Sequence, residues 1–136
     1  VTVTGPEHLK GGTFDLNSMP DTLPILCVAA LKAEEDVEFV NVQNARIKET
    51  DRIACMRENL VSLGAKVEER PDGLLIKGGT KVKGTLVKGF KDHRIIMALA
   101  VSSLLCDEEL TIDDESACSV TFPTFFKLFG KLKGEN

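Results

Sequence analysis

An internal repeat constrains the fold of this 136-residue chain more than any other feature of its sequence. Four segments of the first half resemble four segments of the second half, in the same order and about 71 to 73 residues later. The four pairs are HLKGGTF with KVKGTLV, MPDTLPILCVAALKA with FKDHRIIMALAVSSL, VEFVNV with EELTID, and ETDRIACMRENL with SVTFPTFFKLFGKL. Because chance matches would not keep both order and spacing, the sequence predicts a duplicated unit of about 70 residues.

The apolar pattern within each repeat predicts a mixture of helices and strands. Residues 21–33 and 92–105 are apolar almost all round, which is typical of buried helices. From Arg52 to Leu63 the apolar residues follow the spacing of an amphipathic helix, and Gly64 is placed to end it. Short alternating segments predict strands at residues 1–4, 37–42, 74–77 and 110–113, with a hairpin turn at Pro71-Asp72-Gly73.

The composition argues against several functional classes. The net charge is −4, whereas a general nucleic-acid-binding domain is normally basic. No apolar run approaches the ~20 residues that span a bilayer, and we expect no signal peptide. Four dispersed cysteines and only two histidines argue against a zinc site, and free thiols fit a reducing cytoplasm. Three of the cysteines, Cys27, Cys55 and Cys106, have apolar neighbours and are expected to be buried.

Charged residues of both signs cluster where three predicted helices begin. Asp21 opens the first helix, the run from Lys48 to Arg52 opens the second, and Arg94 opens the third. A helix N-terminus disfavours a cation by about 0.3–1 kcal/mol, and a bound anion would offset that cost. Lys48, Arg52 and Arg94 would then converge on one anionic substrate, with Asp21 and Glu49 as acid/base candidates. On spacing alone, the alternative is ordinary capping acids beside solvated arginines.

Several linked motifs resemble one enzyme family. The chain contains, in order, MPD, NARIKETDR, LGAKVEERPDGLLIKG, DHRIIMALAV and TFPTFFKLF. Together they resemble the C-terminal part of the 5-enolpyruvylshikimate-3-phosphate synthases (3-phosphoshikimate 1-carboxyvinyltransferases). The UDP-N-acetylglucosamine enolpyruvyl transferases, a related family of similar fold, lack the KETDR run and carry a different residue within DHR. The motifs therefore favour the first family, with the second as the related alternative.

The resemblance implies both a fold and an activity. The implied fold is α/β, with about two βαβαββ-type units of an enolpyruvyl transferase domain and helix N-termini facing the substrate cleft. Residues 1–136 would form a partial domain, and the N-terminal domain of the family would be absent. The implied reaction transfers the enolpyruvyl group of phosphoenolpyruvate to the 5-hydroxyl of shikimate 3-phosphate and releases phosphate, in cytoplasmic aromatic amino-acid biosynthesis. It implies no metal and no organic cofactor, and neither nucleic acid nor a membrane is an expected partner.

The resemblance also implies roles for individual residues. Asp21 matches the acid that contacts the shikimate hydroxyls, and it is the candidate proton acceptor. Glu49 matches the carboxyl group that exchanges protons with the methylene carbon of phosphoenolpyruvate. The expected substrate-binding residues are Asp21, Asn44 and Lys48 for shikimate 3-phosphate, Arg52 and Arg94 for the phosphoenolpyruvate carboxylate, and His93 within the pocket.

One position departs from the family pattern. Many members carry a lysine directly before the TFP motif as a phosphate contact, whereas this chain has Val120. Lys91 is the candidate replacement for that contact.

The length of the chain leaves its activity open. A closed cleft would need ligands from the absent domain, so we expect no turnover from this chain alone. The chain could be one half of a split enzyme, a stand-alone anion-binding module, or a structural remnant that folds but binds nothing. An incomplete domain would also expose apolar helix faces, which favours self-association.

Overall fold

The computed structural model describes residues 1–134, in which the order strand–helix–strand–helix occurs twice. The first unit continues with two strands, whereas the second continues with a helix. The first unit consists of β1 (Gly12–Asp15), α1 (Leu23–Ala30), β2 (Val37–Val40), α2 (Arg52–Ser62), β3 (Val67–Arg70) and β4 (Gly73–Ile76). The second consists of β5 (Leu86–Val87), α3 (His93–Ser102), β6 (Thr111–Ile112), α4 (Ser116–Thr121) and α5 (Phe125–Leu132). The α/β class predicted from the sequence is confirmed. That the chain is a partial domain of two repeats stays a prediction.

The first unit forms a four-stranded sheet in the order β1-β2-β4-β3. β1 and β2 are parallel, with Gly12 opposite Val37, and α1 makes the crossover that a parallel pair requires. β4 lies antiparallel to both β2 and β3, and the predicted hairpin joins β3 to β4. Gly73 follows the turn, where a Cβ atom would lie 1.8 Å from the carbonyl oxygen of Phe39. The backbones of β2 and β4 therefore approach as closely as only glycine allows.

The second unit repeats the parallel strand pair on a smaller scale. β5 and β6 are parallel, with Leu86 opposite Thr111 and Val87 opposite Ile112, and α3 connects them. Helix α3 packs against α1, so the two crossover helices bring the two units together. This contact also places the N-termini of α1 and α3 near one another, which the functional site requires.

The core lies between the four-stranded sheet and the helices. Helix α1, with the sequence LPILCVAA, is apolar all round and buries most of its residues, although Ile25 and Ala29 remain exposed. Helix α2 instead buries one face and leaves Arg57 and Glu58 in solvent. Burial of one large apolar side chain stabilises a fold by about 1.5–3 kcal/mol. The fully buried apolar residues include Leu23, Cys27, Ile53, Met56, Leu60, Leu63, Leu74, Ile76, Ile95, Ile96 and Leu99.

Several sequence predictions are corrected by the structure. Residues 1–4 form no strand, because no other strand among residues 1–134 lies beside them and their side chains are exposed. The helix predicted over 21–33 is shorter: a 3-10 turn, Pro20–Thr22, precedes α1. The helix predicted over 92–105 ends with a second 3-10 turn, Ser103–Leu105. Cys106 is only half-buried, whereas Cys118 is buried under α3.

Candidate active site

The charged residues of the candidate site lie just before or within the first turn of three helices. Asp21 lies in the 3-10 turn before α1. Lys48 and Glu49 lie between the 3-10 turn Gln43–Ile47 and the start of α2. His93 and Arg94 occupy the first turn of α3. The helix N-termini thus place these five side chains together, as the charge pattern of the sequence predicts.

Aspartates cap two of these helices and set where each one begins. The Asp51 side chain accepts a hydrogen bond from the Ala54 amide at the start of α2. Asp92 accepts from the amides of Arg94 and Ile95 at the start of α3. Such caps satisfy amides that have no partner within the helix and stabilise it by about 0.5–2 kcal/mol.

Arg52 is the centre of the site, and its side chain is 1 % exposed. Its Nε donates to Asp92 Oδ2 at 2.7 Å, and its Nη2 donates to Asp92 Oδ1 at 3.2 Å. Its Nη1 donates to Asp21 Oδ1 at 3.0 Å, and its Nη2 also donates to Glu49 Oε2 at 2.7 Å. One buried guanidinium therefore joins the N-terminal ends of α1, α2 and α3.

The charge of Arg52 is compensated despite its burial. Burial opposes the charge, but the hydrogen bonds and charge of Asp92, together with Glu49 and Asp21, outweigh it and raise the pKa of Arg52. Asp92 is itself fully buried and accepts two hydrogen bonds from the guanidinium. The solvated arginine considered from the sequence is therefore wrong for Arg52, although Arg94 is 44 % exposed.

Asp21 is surrounded by cations. Besides Arg52, Lys48 Nζ lies 3.5 Å from Asp21 Oδ1, and Arg94 Nη2 lies 3.6 Å from Asp21 Oδ2. Partial burial opposes the charge of Asp21, but Arg94, Lys48 and Arg52 outweigh it and lower the pKa of this carboxyl group. Asp21 is therefore ionised at neutral pH and partly open to solvent.

Glu49 and His93 form a second pair at the edge of the site. Glu49 Oε1 lies 3.7 Å from His93 Nδ1, while Glu49 Oε2 accepts from Arg52. The Glu49 side chain is 47 % exposed, so one edge of this carboxylate can reach a ligand. A carboxyl group and an imidazole at this separation can both exchange protons with a bound molecule.

A small cavity adjoins these charges. It has a volume of about 200 Å³ and lies between Asp21 and Arg94, with Pro24, Met97 and Phe125 in its wall. Ligand pockets usually hold about 300–1,000 Å³, so this cavity alone has room for only part of a ligand. Among residues 1–134, no group of three or more His, Cys, Asp or Glu side chains could hold a metal ion.

The remaining predicted residues lie at the periphery. Asn44 is exposed on the connection between β2 and α2, and within residues 1–134 its side chain makes no hydrogen bond. Val120 is 87 % exposed in α4, and Lys91 is exposed next to Asp92. The structure therefore brings together Asp21, Lys48, Glu49, Arg52, His93 and Arg94. The side chains of Asn44, Val120 and Lys91 form no hydrogen bond or ion pair with that group.

Two residues that support the site were absent from the predicted set. Asp92 holds Arg52, and its position directly before a helix is a capping signal that the sequence does contain. Arg46 donates to Asp51 Oδ2 at 2.8 Å and to the carbonyl oxygens of Arg70 and Pro71 at 2.7 and 2.8 Å. It ties the cap of α2 to the β3–β4 turn. No local pattern indicates the contacts with the turn, because the two carbonyl groups lie 24 and 25 residues away from Arg46.

Comparisons with known proteins identify the family of the chain. The family model described as EPSP synthase (3-phosphoshikimate 1-carboxyvinyltransferase) matches residues 1–129. The chain belongs to the EPSP synthase family. The resemblance inferred from the motifs is thereby confirmed.

Individual members of the EPSP synthase family match most of the chain. A 3-phosphoshikimate 1-carboxyvinyltransferase of Ruminiclostridium cellulolyticum is 49% identical over 119 residues, covering 88% of this chain and 28% of the relative. One of Nitrosopumilus maritimus is 39% identical over 132 residues, covering 97% of this chain and 31% of the relative. The solved structure of an EPSP synthase from Acinetobacter baumannii is similar, with a TM-score of 0.83 and 28% identity over 91% of this chain and 30% of that one.

The chain thus spans less than a third of the length of these curated relatives. Within residues 1–134, no helix combines the length and the apolar character needed to cross a bilayer.

Proposed function

We propose that this chain is the part of an EPSP synthase that carries the α1, α2 and α3 ends of the substrate cleft. The complete enzyme would transfer the enolpyruvyl group of phosphoenolpyruvate to the 5-hydroxyl of shikimate 3-phosphate and release phosphate, without metal or organic cofactor. The observation that carries the proposal is the buried Arg52, around which Asp21 and Glu49 are held within hydrogen-bond distance. Family membership supports the same activity.

Asp21 is proposed as the base that accepts the proton of the shikimate hydroxyl. In the free chain its three cationic neighbours make it a weak base, because they stabilise its ionised form. An anionic substrate that pairs with Arg94 and Lys48 would withdraw part of that stabilisation. The basicity of Asp21 would then rise when both substrates are bound, which is when a proton must be accepted.

Glu49 is proposed to exchange a proton with the methylene carbon of phosphoenolpyruvate. Arg52 fixes one oxygen of this carboxylate at 2.7 Å, and His93 lies beside the other. The imidazole is proposed to orient Glu49 and to contact the substrate from the same side.

The remaining roles concern substrate binding. Arg94 is proposed to hold the carboxylate of phosphoenolpyruvate, since a guanidinium fork matches a carboxylate with two hydrogen bonds. Lys48 and Asn44 are proposed to contact shikimate 3-phosphate. Arg52 contacts phosphoenolpyruvate in this proposal only after Asp21 or Glu49 gives up its own hydrogen bond, because all of its present contacts are to carboxylates. Lys91 is proposed to take over the phosphate contact that Val120 cannot make.

The proposed partner of this chain is the remaining part of a full-length EPSP synthase, and its proposed location is the cytoplasm. Turnover by the chain alone is not expected, because water must be excluded from both sides of the cleft.

Self-association is also proposed, since three large apolar side chains, Phe14, Met19 and Ile25, are 46%, 48% and 43% exposed. A mass equal to one chain by light scattering at high concentration would contradict self-association.

The experiment is an amide-shift NMR titration of this chain with shikimate 3-phosphate, then with phosphoenolpyruvate. We expect saturable shifts at residues 21, 44–52 and 92–94. An Arg94→Met variant should bind phosphoenolpyruvate about tenfold to a hundredfold more weakly, because a charged hydrogen bond contributes about 1.5–3 kcal/mol. Arg57→Met is the matched control, since Arg57 is exposed on the outer face of α2.

Three outcomes would count against parts of the proposal. A folded chain without shifts at millimolar ligand would mean that this half of the site is not preformed. Shifts of equal size with UDP-N-acetylglucosamine would favour the related enolpyruvyl transferase family. Release of phosphate by the chain alone would contradict its proposed inactivity.

A further inference from the structure

A strained turn leads into the helix that carries His93 and Arg94. It connects β5 to α3 and comprises residues 88–91. Phe90 and Lys91 have φ angles of 54° and 55°, in the left-handed region that residues with a side chain rarely adopt. Two such residues in succession cost free energy and persist only where the surroundings hold them. The next residue is Asp92, the cap of α3 and the partner of Arg52.

Asn59 holds the first residue of this turn. Its side chain is buried in α2 and is 1 % exposed. Asn59 Nδ2 donates to the carbonyl oxygen of Lys88 at 2.8 Å, and Asn59 Oδ1 accepts from the Lys88 amide at 2.9 Å. The donor and the acceptor of the Asn59 amide group are thus both paired with the backbone of one residue, 29 positions away. A buried side chain that satisfies both backbone groups of one residue holds the two peptide groups on either side of that residue.

The second residue of the turn is held from the opposite side. Asp113 Oδ1 accepts from the Gly89 amide at 2.7 Å, and the Asp92 amide donates to the Gly89 carbonyl oxygen at 3.1 Å. A Cβ atom on Gly89 would lie 2.5 Å from the carbonyl oxygen of Asp114 and 2.7 Å from Ile96 Cγ1. The turn is therefore hydrogen-bonded to both α2 and the segment after β6, and Gly89 has no space for a side chain.

We propose that Asn59 is a positioning residue for the active site. Asn59 fixes the 88–91 turn in its left-handed conformation. This turn then fixes the direction of α3, so that His93 faces Glu49 and Arg94 faces Asp21. The two hydrogen bonds of the Asn59 side chain go to the backbone of Lys88 and not to any of these side chains, so its proposed action runs through the backbone. The consequence for substrate binding rests on the function proposed above, whereas the consequence for the turn does not.

The test compares Asn59→Leu and Asn59→Asp with the unchanged chain. Leucine has a similar volume and makes neither hydrogen bond, while aspartate keeps the acceptor for the Lys88 amide and loses the donor. Glu58→Gln is the matched control, because it removes only the exposed ion pair between Glu58 and the Lys88 side chain. Circular dichroism and urea unfolding establish that each variant is folded.

The first readout is the conformation of the turn without any ligand. The three-bond HN–Hα couplings and carbon shifts of Phe90 and Lys91 report their φ angles. We expect Asn59→Leu to lose the left-handed signature, Asn59→Asp to show a mixture, and Glu58→Gln to keep it. Adding Lys91→Asn to Asn59→Leu should restore part of the signature, because asparagine enters the left-handed region more readily than lysine. A general loss of core packing would not be rescued in this way.

The second readout is the affinity for phosphoenolpyruvate. If the turn is correctly formed in only a tenth to a fifth of Asn59→Leu molecules, Kd should rise about fivefold to tenfold. A folded Asn59→Leu chain with an unchanged turn would overturn the proposal. If Asn59→Leu does not fold, a folded Asn59→Asp chain with an unchanged turn would overturn it instead. Absence of phosphoenolpyruvate binding by the unchanged chain would instead count against the proposed function and leave the turn result standing.

Discussion

Replacing Arg52 by methionine tests the buried network most directly. The substitution keeps much of the side-chain volume but removes all four hydrogen bonds to Asp92, Asp21 and Glu49. Asp21 and Glu49 are partly exposed and can be solvated, whereas Asp92 is fully buried and would keep only its hydrogen bonds to the amides of α3.

The expected cost follows from this burial. Removing one partner of a buried ion pair typically costs about 3–5 kcal/mol, because the other charge stays buried and uncompensated. The free energy of unfolding of a domain is about 5–15 kcal/mol, so Arg52→Met would remove a large part of it. The midpoint of thermal unfolding should fall by about 10–20 °C for a chain of this size.

Urea and thermal unfolding followed by circular dichroism measure this change. Arg57→Met lies on the exposed face of the same helix and should change the free energy of unfolding by less than about 0.5 kcal/mol. The double variant Arg52→Met/Asp92→Leu should lose only about 1–2 kcal/mol, chiefly from the missing cap, because no buried charge remains. A loss below about 1 kcal/mol for Arg52→Met alone would refute the role assigned to burial.

Three further changes have expected outcomes. Gly73→Ala should lower the urea midpoint markedly, since its Cβ would meet the Phe39 carbonyl oxygen at 1.8 Å; an unchanged midpoint would contradict that close approach. Arg46→Met should cost about 1–3 kcal/mol and speed amide exchange in the β3–β4 hairpin, because it leaves two carbonyl groups and Asp51 without their donor. Uniform exchange throughout the chain would argue against a local role. Because the pKa of Asp21 is lowered on folding, its contribution to stability is present above about pH 4 and is lost as the pH falls further, so Asp21→Asn should reduce the acid sensitivity of unfolding. An identical pH profile for Asp21→Asn would contradict this.

Sequence reasoning succeeded where the signal is local. The β3–β4 hairpin was predicted because Pro71, Asp72 and Gly73 specify a turn by their own backbone preferences. Helix α2 was predicted for the same kind of reason, as its apolar stripe and the glycine placed to end it, Gly64, lie close together in the sequence. The family motifs are equally local, and they led to the correct family.

Sequence reasoning failed where an element depends on its neighbours. Residues 1–4 alternate like a strand but have no partner strand. By contrast, β1 is four exposed residues and β5 is only two residues long, so neither shows a periodicity of its own. Strand pairing is decided by what lies beside a segment, which a single pattern does not contain. Asn59 was missed for a similar reason, because an asparagine within a helix shows no sign of the turn that it binds 29 residues later.

The sequence by itself determined which charges stand at the helix ends. The repeat, the capping aspartates and the clustered arginines are all visible without coordinates. Only the tertiary structure decided that Arg52 is buried while Arg94 remains partly exposed. The physical reason is distance along the chain: the carboxylates that make burial of Arg52 possible come from residues 31 and 40 positions away, and packing of α1 against α3 brings them to it.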